Sequence, residues 1–106
     1  MSEANFHILI ALARGERHGY AIIREVEVAT EGRIRLGAGT LYRALQRMLE
    51  QGLIVETKQR PAPEEDDERR RYHRITEEGR AAASAEARRL AEMVRLAESR
   101  GIVREA

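Results

Sequence analysis

The stretch from residue 37 to residue 52 constrains the fold more than any other part of the chain. Its apolar residues recur at the i, i+3, i+4, i+7 and i+8 positions that make one face of a helix. They are Leu41, Ala44, Leu45, Met48 and Leu49. Residues 37–40 are expected to be a flexible lead-in, and Gly52 is a suitable C-terminal stop. The pattern predicts an amphipathic helix that packs on a core through one face. The opposite face carries Tyr42, Arg43, Gln46, Arg47 and Glu50.

Two further helices are predicted before this one. The first spans about residues 3–13, is apolar nearly all round, as a buried helix is, and ends before Gly15. The second spans about residues 18–30 and is stopped by Gly32. A very short extended piece is expected at Ile34 and Leu36.

A hairpin is predicted after the third helix. Residues 53–57 are partly β-branched and follow Gly52, which indicates a strand, and a second strand fits residues 70–75. The segment between them contains two prolines and an acidic block at residues 64–68, so it is a turn or loop. The hairpin is therefore expected to have a long, acidic tip.

The last predicted helix runs from the N-cap Thr76 to about Arg100. Its apolar positions alternate in steps of four and three, which is the narrow seam of a coiled coil. They are Ala83, Ala87, Leu90, Val94 and Ala97. The helix could lie alone on the surface, but a helix this long rarely persists in water without packing. Burial of the seam against a second copy of the chain is the better interpretation.

Composition bounds the remaining possibilities. A chain of 106 residues allows one domain with a modest core, and the absence of cysteine excludes disulfides and thiolate metal sites. The longest apolar run is too short to span a membrane and no signal-peptide pattern begins the chain, so a cytoplasmic protein is expected. The formal net charge of +1 argues weakly against a nucleic-acid partner. However, the acidic block masks a basic remainder in which three arginines follow at residues 69–71.

Three helices followed by a two-stranded hairpin describe a winged helix-turn-helix. The predicted fold is therefore mainly α with a small β-hairpin, in which residues 1–76 form the winged helix-turn-helix. Residues 77–106 form a C-terminal dimerisation helix of the same compact domain. In this fold the N-terminal residues of the third helix meet base edges in the major groove of double-stranded DNA. Thr40, Tyr42, Arg43, Gln46 and Arg47 are the candidates, because their side chains suit guanine, adenine or phosphate.

The predicted hairpin supplies further cations for phosphates or a minor groove. The candidates are Lys58, Arg69 and Arg71; Arg70 alternates to the other face of the strand, with Tyr72.

The ordered motifs of residues 6–80 resemble the PadR-like transcriptional regulators. The matching pieces are Ile8-Leu9, His18-Gly19-Tyr20, Gly39-Thr40-Leu41-Tyr42-Arg43, Leu49-Glu50-Gln51-Gly52-Leu53-Ile54, Arg70-Arg71-Tyr72 and Ile75-Thr76-Glu77-Glu78-Gly79-Arg80. The resemblance implies a dimeric winged helix-turn-helix, usually a repressor, in the short form with a single C-terminal helix. Two features depart from the family: His73 stands where a second tyrosine is common, and the hairpin tip is unusually acidic.

The same resemblance implies roles for particular residues. The last helix is expected to pack on the first helix of the partner, which adds Phe6 and Leu9 to the dimer contacts. Tyr20 and Tyr42 are expected to contact the DNA backbone or to close the core, and the outer-face position of Tyr42 favours DNA.

The main hypothesis is a sequence-specific DNA-binding regulator that acts as a homodimer on a palindromic operator. The alternative is a winged-helix protein-interaction module, which the near-neutral charge and acidic tip keep open. An enzyme is not expected, because no nucleophile–base pair, phosphate loop or metal signature occurs, and no cofactor is expected. The three histidines are too scattered to bind a metal, and whether a small-molecule effector exists stays open.

Overall fold

Helices and strands follow one another in the order that a winged helix-turn-helix requires. The computed structural model describes residues 1–57 and 71–103. Its elements are α1 (Glu3–Ala13), β1 (Arg17–His18), α2 (Gly19–Ala29), α3 (Ala38–Glu50), β2 (Ile54–Glu56), β3 (Tyr72–Ile75) and α4 (Glu77–Ser99). The mainly helical fold with a small sheet is confirmed.

The three strands form an antiparallel sheet in the order β1-β3-β2. His73 in the middle strand lies opposite Arg17 on one side and Glu56 on the other. The hairpin of β2 and β3 is the predicted wing. The segment that joins its strands contains the acidic block, Lys58 and Arg69, which lie outside the described residues.

One apolar core joins the first three helices to the sheet. Each of these helices contributes buried side chains at helical spacing, and β2 and β3 each add one buried isoleucine to the core. Its members are Ile8, Leu9, Leu12, Ile22, Val26, Leu41, Leu45, Met48, Ile54 and Ile75.

Side-chain caps set the starts of three helices. The Oγ of Ser2 accepts from Asn5 N–H, and the Nδ1 of His18 accepts from Ala21 N–H at 3.2 Å. The Oγ1 of Thr76 accepts from Gly79 N–H at 3.0 Å and donates to the carbonyl of Gly52 at 2.7 Å. The predicted cap at Thr76 is confirmed, and it also ties α4 to the end of α3.

The structure corrects three local predictions. Ile34 and Leu36 form no strand; they pack against the core, and the extra strand is β1 instead. Residues 38–40 are not a flexible lead-in but the first turn of α3. The second hairpin strand begins at Tyr72, and Arg71, which was predicted to belong to it, does not.

Helix α4 is anchored at its base. A Cβ on Gly79 would lie 2.1 Å from the carbonyl oxygen of Leu53, so only glycine allows this close approach. The guanidinium of Arg80 also donates to the carbonyl of Ala13, at 3.1 Å. Beyond this base, the second half of α4 leaves Met93, Val94 and Leu96 about half exposed.

Candidate nucleic-acid interface

One face of α3 is buried and the other is open. Leu41, Leu45 and Met48 are at most 2% exposed and hold the helix on the core. The exposed side chains are those predicted to read DNA: Thr40, Arg43, Gln46 and Arg47. The guanidinium of Arg43 donates to the Oγ1 of Thr40 at 3.4 Å. Among the described residues neither arginine forms an ion pair, so both charges are available to a ligand.

The N-terminus of α3 lies beside these side chains. Its N-cap is Gly37, which makes no side-chain cap, and the first turn begins with Ala38 and Gly39, both exposed. Uncapped N–H groups and the positive end of a helix dipole favour an anion. This feature was not predicted, because a flexible lead-in was expected here instead of a helix start. The run of small residues before Leu41 was the signal that the backbone here is uncovered.

Tyr42 occupies a different place from the one predicted. It is half-buried and packs against the core instead of lying on the outer face with Arg43. A Cβ on Gly19 would come within 2.9 Å of its hydroxyl, so the start of α2 lies close against this ring. The side chain follows the inner edge of α3 because it lies on the same side of the helix as Leu45 and Leu49, three and seven residues further on.

Tyr20 lies on α2 and is 45% exposed. Its ring meets the ring of His18 edge-on, with 6.4 Å between the centroids, and His18 in turn meets Tyr72 at 5.4 Å. The chain of rings links the start of α2 to β3. This arrangement leaves part of the Tyr20 ring open to solvent, beside Arg24, which is also exposed.

The described part of the wing carries two exposed arginines. Arg71 lies 3.5 Å from a carboxylate oxygen of Glu56, so part of its charge is already balanced. Arg74 was not predicted as a site residue, although strand alternation places it outward between the buried His73 and Ile75. Of the predicted wing cations, only Arg71 lies within the described residues.

His73 is the buried polar residue of the sheet. It is 4% exposed, and its Nδ1 has no hydrogen-bond partner in the described part of the chain. Burial lowers the pKa of His73, while the negative charge of Glu56 and the backbone of Arg71 act in the opposite direction. The imidazole is therefore held neutral, as burial in a poorly solvated site requires.

The predicted dimer contacts divide into three groups. Ala87 and Val94 are exposed, while Phe6, Leu90 and Ala97 are half-buried. Ala83 is also half-buried but packs against the core of its own chain. Leu9 is 0% exposed and belongs to that core, so it has no surface to present to a partner.

Ile10, rather than Leu9, joins Phe6 on the side of α1 that faces α4. Ile10 is 43% exposed and borders a cavity of about 340 Å³ with Phe6 and Leu90. Ile10 was not among the predicted dimer contacts. Because α1 is apolar nearly all round, spacing alone does not separate its inner face from its outer face.

Other kinds of site find no support in the described residues. They contain no group of three or more acidic, histidine or cysteine side chains that could hold a metal ion. None of their helices is long and apolar enough to cross a membrane.

Comparison with known structures shows the same fold in several regulators. A transcriptional regulator from Clostridium thermocellum superposes with a TM-score of 0.73 over 93% of this chain and 96% of that one, at 23% identity. A PadR family transcription regulator from Clostridium difficile superposes with a TM-score of 0.74 over 92% of this chain and 97% of that one, at 22% identity. PadR from Bacillus subtilis, solved in complex with operator DNA, gives 0.64 over 76% of this chain and 44% of that one, at 17% identity.

Sequence comparison extends this result beyond the fold. The chain is 37% identical over 92 residues to an uncharacterised protein of a Streptomyces fradiae transposon, of whose length it covers 24%. The family model described as the PadR-like transcriptional regulators matches residues 8–85. This match contains residues 8–13 of α1, the whole of α2 and α3, the described strands and the base of α4. The chain therefore belongs to the PadR-like family, whose members are transcriptional regulators rather than enzymes.

Proposed function

We propose that the protein is a repressor that binds a palindromic operator in double-stranded DNA as a homodimer. The observation that carries this proposal is the division of α3 into a buried apolar face and an open face of Thr40, Arg43, Gln46 and Arg47. A helix with this division fits the major groove while its other face stays on the core. We place this activity in the cytoplasm, as the sequence leads us to expect.

Each part of the open face has a physical role in the proposal. The guanidinium groups of Arg43 and Arg47 donate to guanine O6 and N7, and the amide of Gln46 pairs with adenine. The uncapped N-terminus of α3 approaches a phosphate, which fixes the depth of the helix in the groove. Arg71 contacts the backbone from the wing, and Lys58 and Arg69 stay predicted contacts of the same kind.

The dimer follows from the exposed side chains of α4. Val94 is 50% exposed in the single chain, and Leu90 and Ala97, four residues before it and three after it, lie on the same side of the helix as an apolar strip. Burying such a strip against a second copy removes it from water. The two α3 helices of a symmetric dimer would then enter successive major grooves, about 34 Å apart. The relative from Bacillus subtilis, whose structure contains operator DNA, supports DNA as the partner.

The test is a binding titration against DNA fragments that flank the coding region, with excess competitor DNA. We expect Arg43→Ala or Arg47→Ala to weaken specific binding by about 1–3 kcal/mol, because each loses a base contact. Arg88→Ala is the matched control, since Arg88 is an exposed arginine on α4, away from the α3 face. Unchanged operator affinity in both folded α3 variants would contradict the assignment of α3.

A salt series separates this proposal from the interaction-module alternative. Binding to DNA should weaken steeply as salt rises, because counterions released from the phosphates drive association. Lack of specific binding to any fragment, or a weak DNA affinity that does not change with salt concentration, would instead support the interaction module.

A further inference from the structure

A cleft separates the recognition helix from the wing. It has a volume of about 290 Å³, which is at the small end of the range for small-molecule sites. One wall comes from α3 and the other from the sheet. The lining residues are Tyr42, Leu45, Gln46, Leu49, Glu56, Arg71 and His73.

The inner wall of the cleft holds a polar group whose bonding is incomplete. His73 is 4% exposed, and its Nδ1 makes no hydrogen bond to the described residues. Such groups are rare in folded proteins, because a buried polar atom without a partner is unfavourable. Since burial lowers the pKa of His73, its ring is neutral and keeps one nitrogen as an acceptor.

The rest of the lining fixes the character of a ligand. Leu45 and Leu49 supply apolar contacts from α3. The two charged residues, Glu56 and Arg71, already balance each other at 3.5 Å, so a ligand needs no charge to satisfy them. The site therefore offers apolar contacts and a hydrogen-bond acceptor, and its two charged side chains do not require a charged ligand.

We propose that this cleft binds a compact uncharged molecule with an apolar ring and one N–H or O–H group. The ring packs on Leu49 and Leu45, and the N–H or O–H group donates to Nδ1 of His73. The ligand contacts both α3 and the wing, so it sets the position of one relative to the other. Its effect on operator binding rests on the proposed function, whereas its binding to the protein alone does not.

The first experiment uses the full chain without DNA and two probes. Indole has an apolar ring and one N–H group, and 1-methylindole has the same ring without the donor. We expect indole to cause saturable shifts in the backbone amide NMR signals of β2, β3 and the second half of α3. We expect 1-methylindole to bind about fivefold more weakly, which corresponds to the loss of one neutral hydrogen bond. Equal affinity of the two probes, or no saturable shift at these amides, would overturn the proposal.

Variants locate the hydrogen bond within the cleft. His73→Phe keeps a ring of similar size but removes the acceptor, so it should bind indole and 1-methylindole equally. His7→Phe makes the same replacement on α1, away from the cleft, and should keep the preference for indole. Leu49→Trp fills the cleft from its half-buried edge and should abolish binding of both probes, with folding checked by circular dichroism. Full discrimination between the probes in His73→Phe would place the acceptor elsewhere and overturn the assignment.

The outcome for DNA is measured separately. If the ligand favours one arrangement of α3 and the wing, saturating indole should change operator affinity, and operator DNA should change indole affinity by the same factor. Failure of the protein to bind DNA would remove the proposed function but leave the NMR titration as a test of the cleft.

Discussion

Helices α3 and α4 are both amphipathic, yet the apolar face of α3 is buried within the chain whereas that of α4 is partly exposed. In α3, Leu41, Leu45 and Met48 are at most 2% exposed, so the chain itself completes the packing of that face. In α4, Val94 of the predicted seam stays 50% exposed. The comparison shows that helical spacing predicts an apolar face but does not say which surface covers it.

The anchoring of the two helices explains the difference. Helix α3 lies between α2 and the sheet, and its residues join one core with α1. Helix α4 touches the core at its base, through Gly79, Ala83 and the bond from Arg80 to Ala13, and then leaves it. The molecule extends 56 × 28 × 21 Å, as expected when a long helix projects from a small core. The first region should therefore control folding, and the second should control assembly.

The largest effect should come from the buried face of α3. We expect Leu45→Ala to lower the free energy of unfolding by about 2–5 kcal/mol, because it leaves a cavity in the core. Leu96→Ala makes the same change at a half-exposed site and should have less than half this effect. Urea unfolding monitored by circular dichroism, at one fixed protein concentration, measures both. Similar losses in the two variants would show that α4 is as much part of the folding core as α3.

The next effect should appear in assembly. We expect Val94→Glu to raise the dimer dissociation constant by about 10- to 100-fold, since it places a charge in a proposed apolar contact. Val28→Glu is the control, because Val28 is 68% exposed on α2 and far from the α4 seam in sequence. Sedimentation velocity over a concentration series gives both constants. A dimer that tolerates the charge at Val94 but not at Val28 would move the interface to α2.

The same comparison explains how much the sequence could predict. The order of the four helices and the hairpin, the N-cap at Thr76 and the buried stripe of α3 follow from local rules of spacing, capping and glycine stops, and the structure confirms them. Strand β1 was missed because two residues carry no alternation pattern, and it exists through pairing with β3, more than fifty residues away. Long-range contacts of this kind leave no local trace.

The candidate site divides in the same way. Exposure of Arg43, Gln46 and Arg47 follows from their phase relative to Leu41 and Leu45. The inward position of Tyr42 and the burial of Leu9 depend on neighbours from other elements, namely Gly19 for Tyr42 and the joint core for Leu9. Spacing assigned Tyr42 to the outer face and the family resemblance assigned Leu9 to the partner, whereas packing half-buries Tyr42 and fully buries Leu9.

The smallest effect, a pH dependence, should distinguish the α3–sheet region from α4. Because burial lowers the pKa of His73 in the folded state, the unfolded chain takes up this proton at higher pH than the folded chain does. The stability that depends on neutral His73 is therefore fully present above the unfolded pKa of about 6.5 and declines as pH falls below it. On α4 the hydrogen bond from Arg89 lowers the pKa of Glu86. The stability that depends on ionised Glu86 is therefore lost only when the pH falls below the range in which carboxylates ordinarily titrate.

The measurement is hydrogen exchange of individual amides between pH 7.5 and pH 5, corrected for the intrinsic exchange rate. We expect β3 and the second half of α3 to lose protection as pH falls to 5, while the base of α4 keeps its protection. In His73→Phe the protection of β3 should be independent of pH over this range, because the titrating group is gone. Loss of protection that is uniform along the chain, or that persists in His73→Phe, would show that acid acts through groups other than His73. The distinction between a self-contained α3 region and a dependent α4 would then need another probe, because both regions would open together.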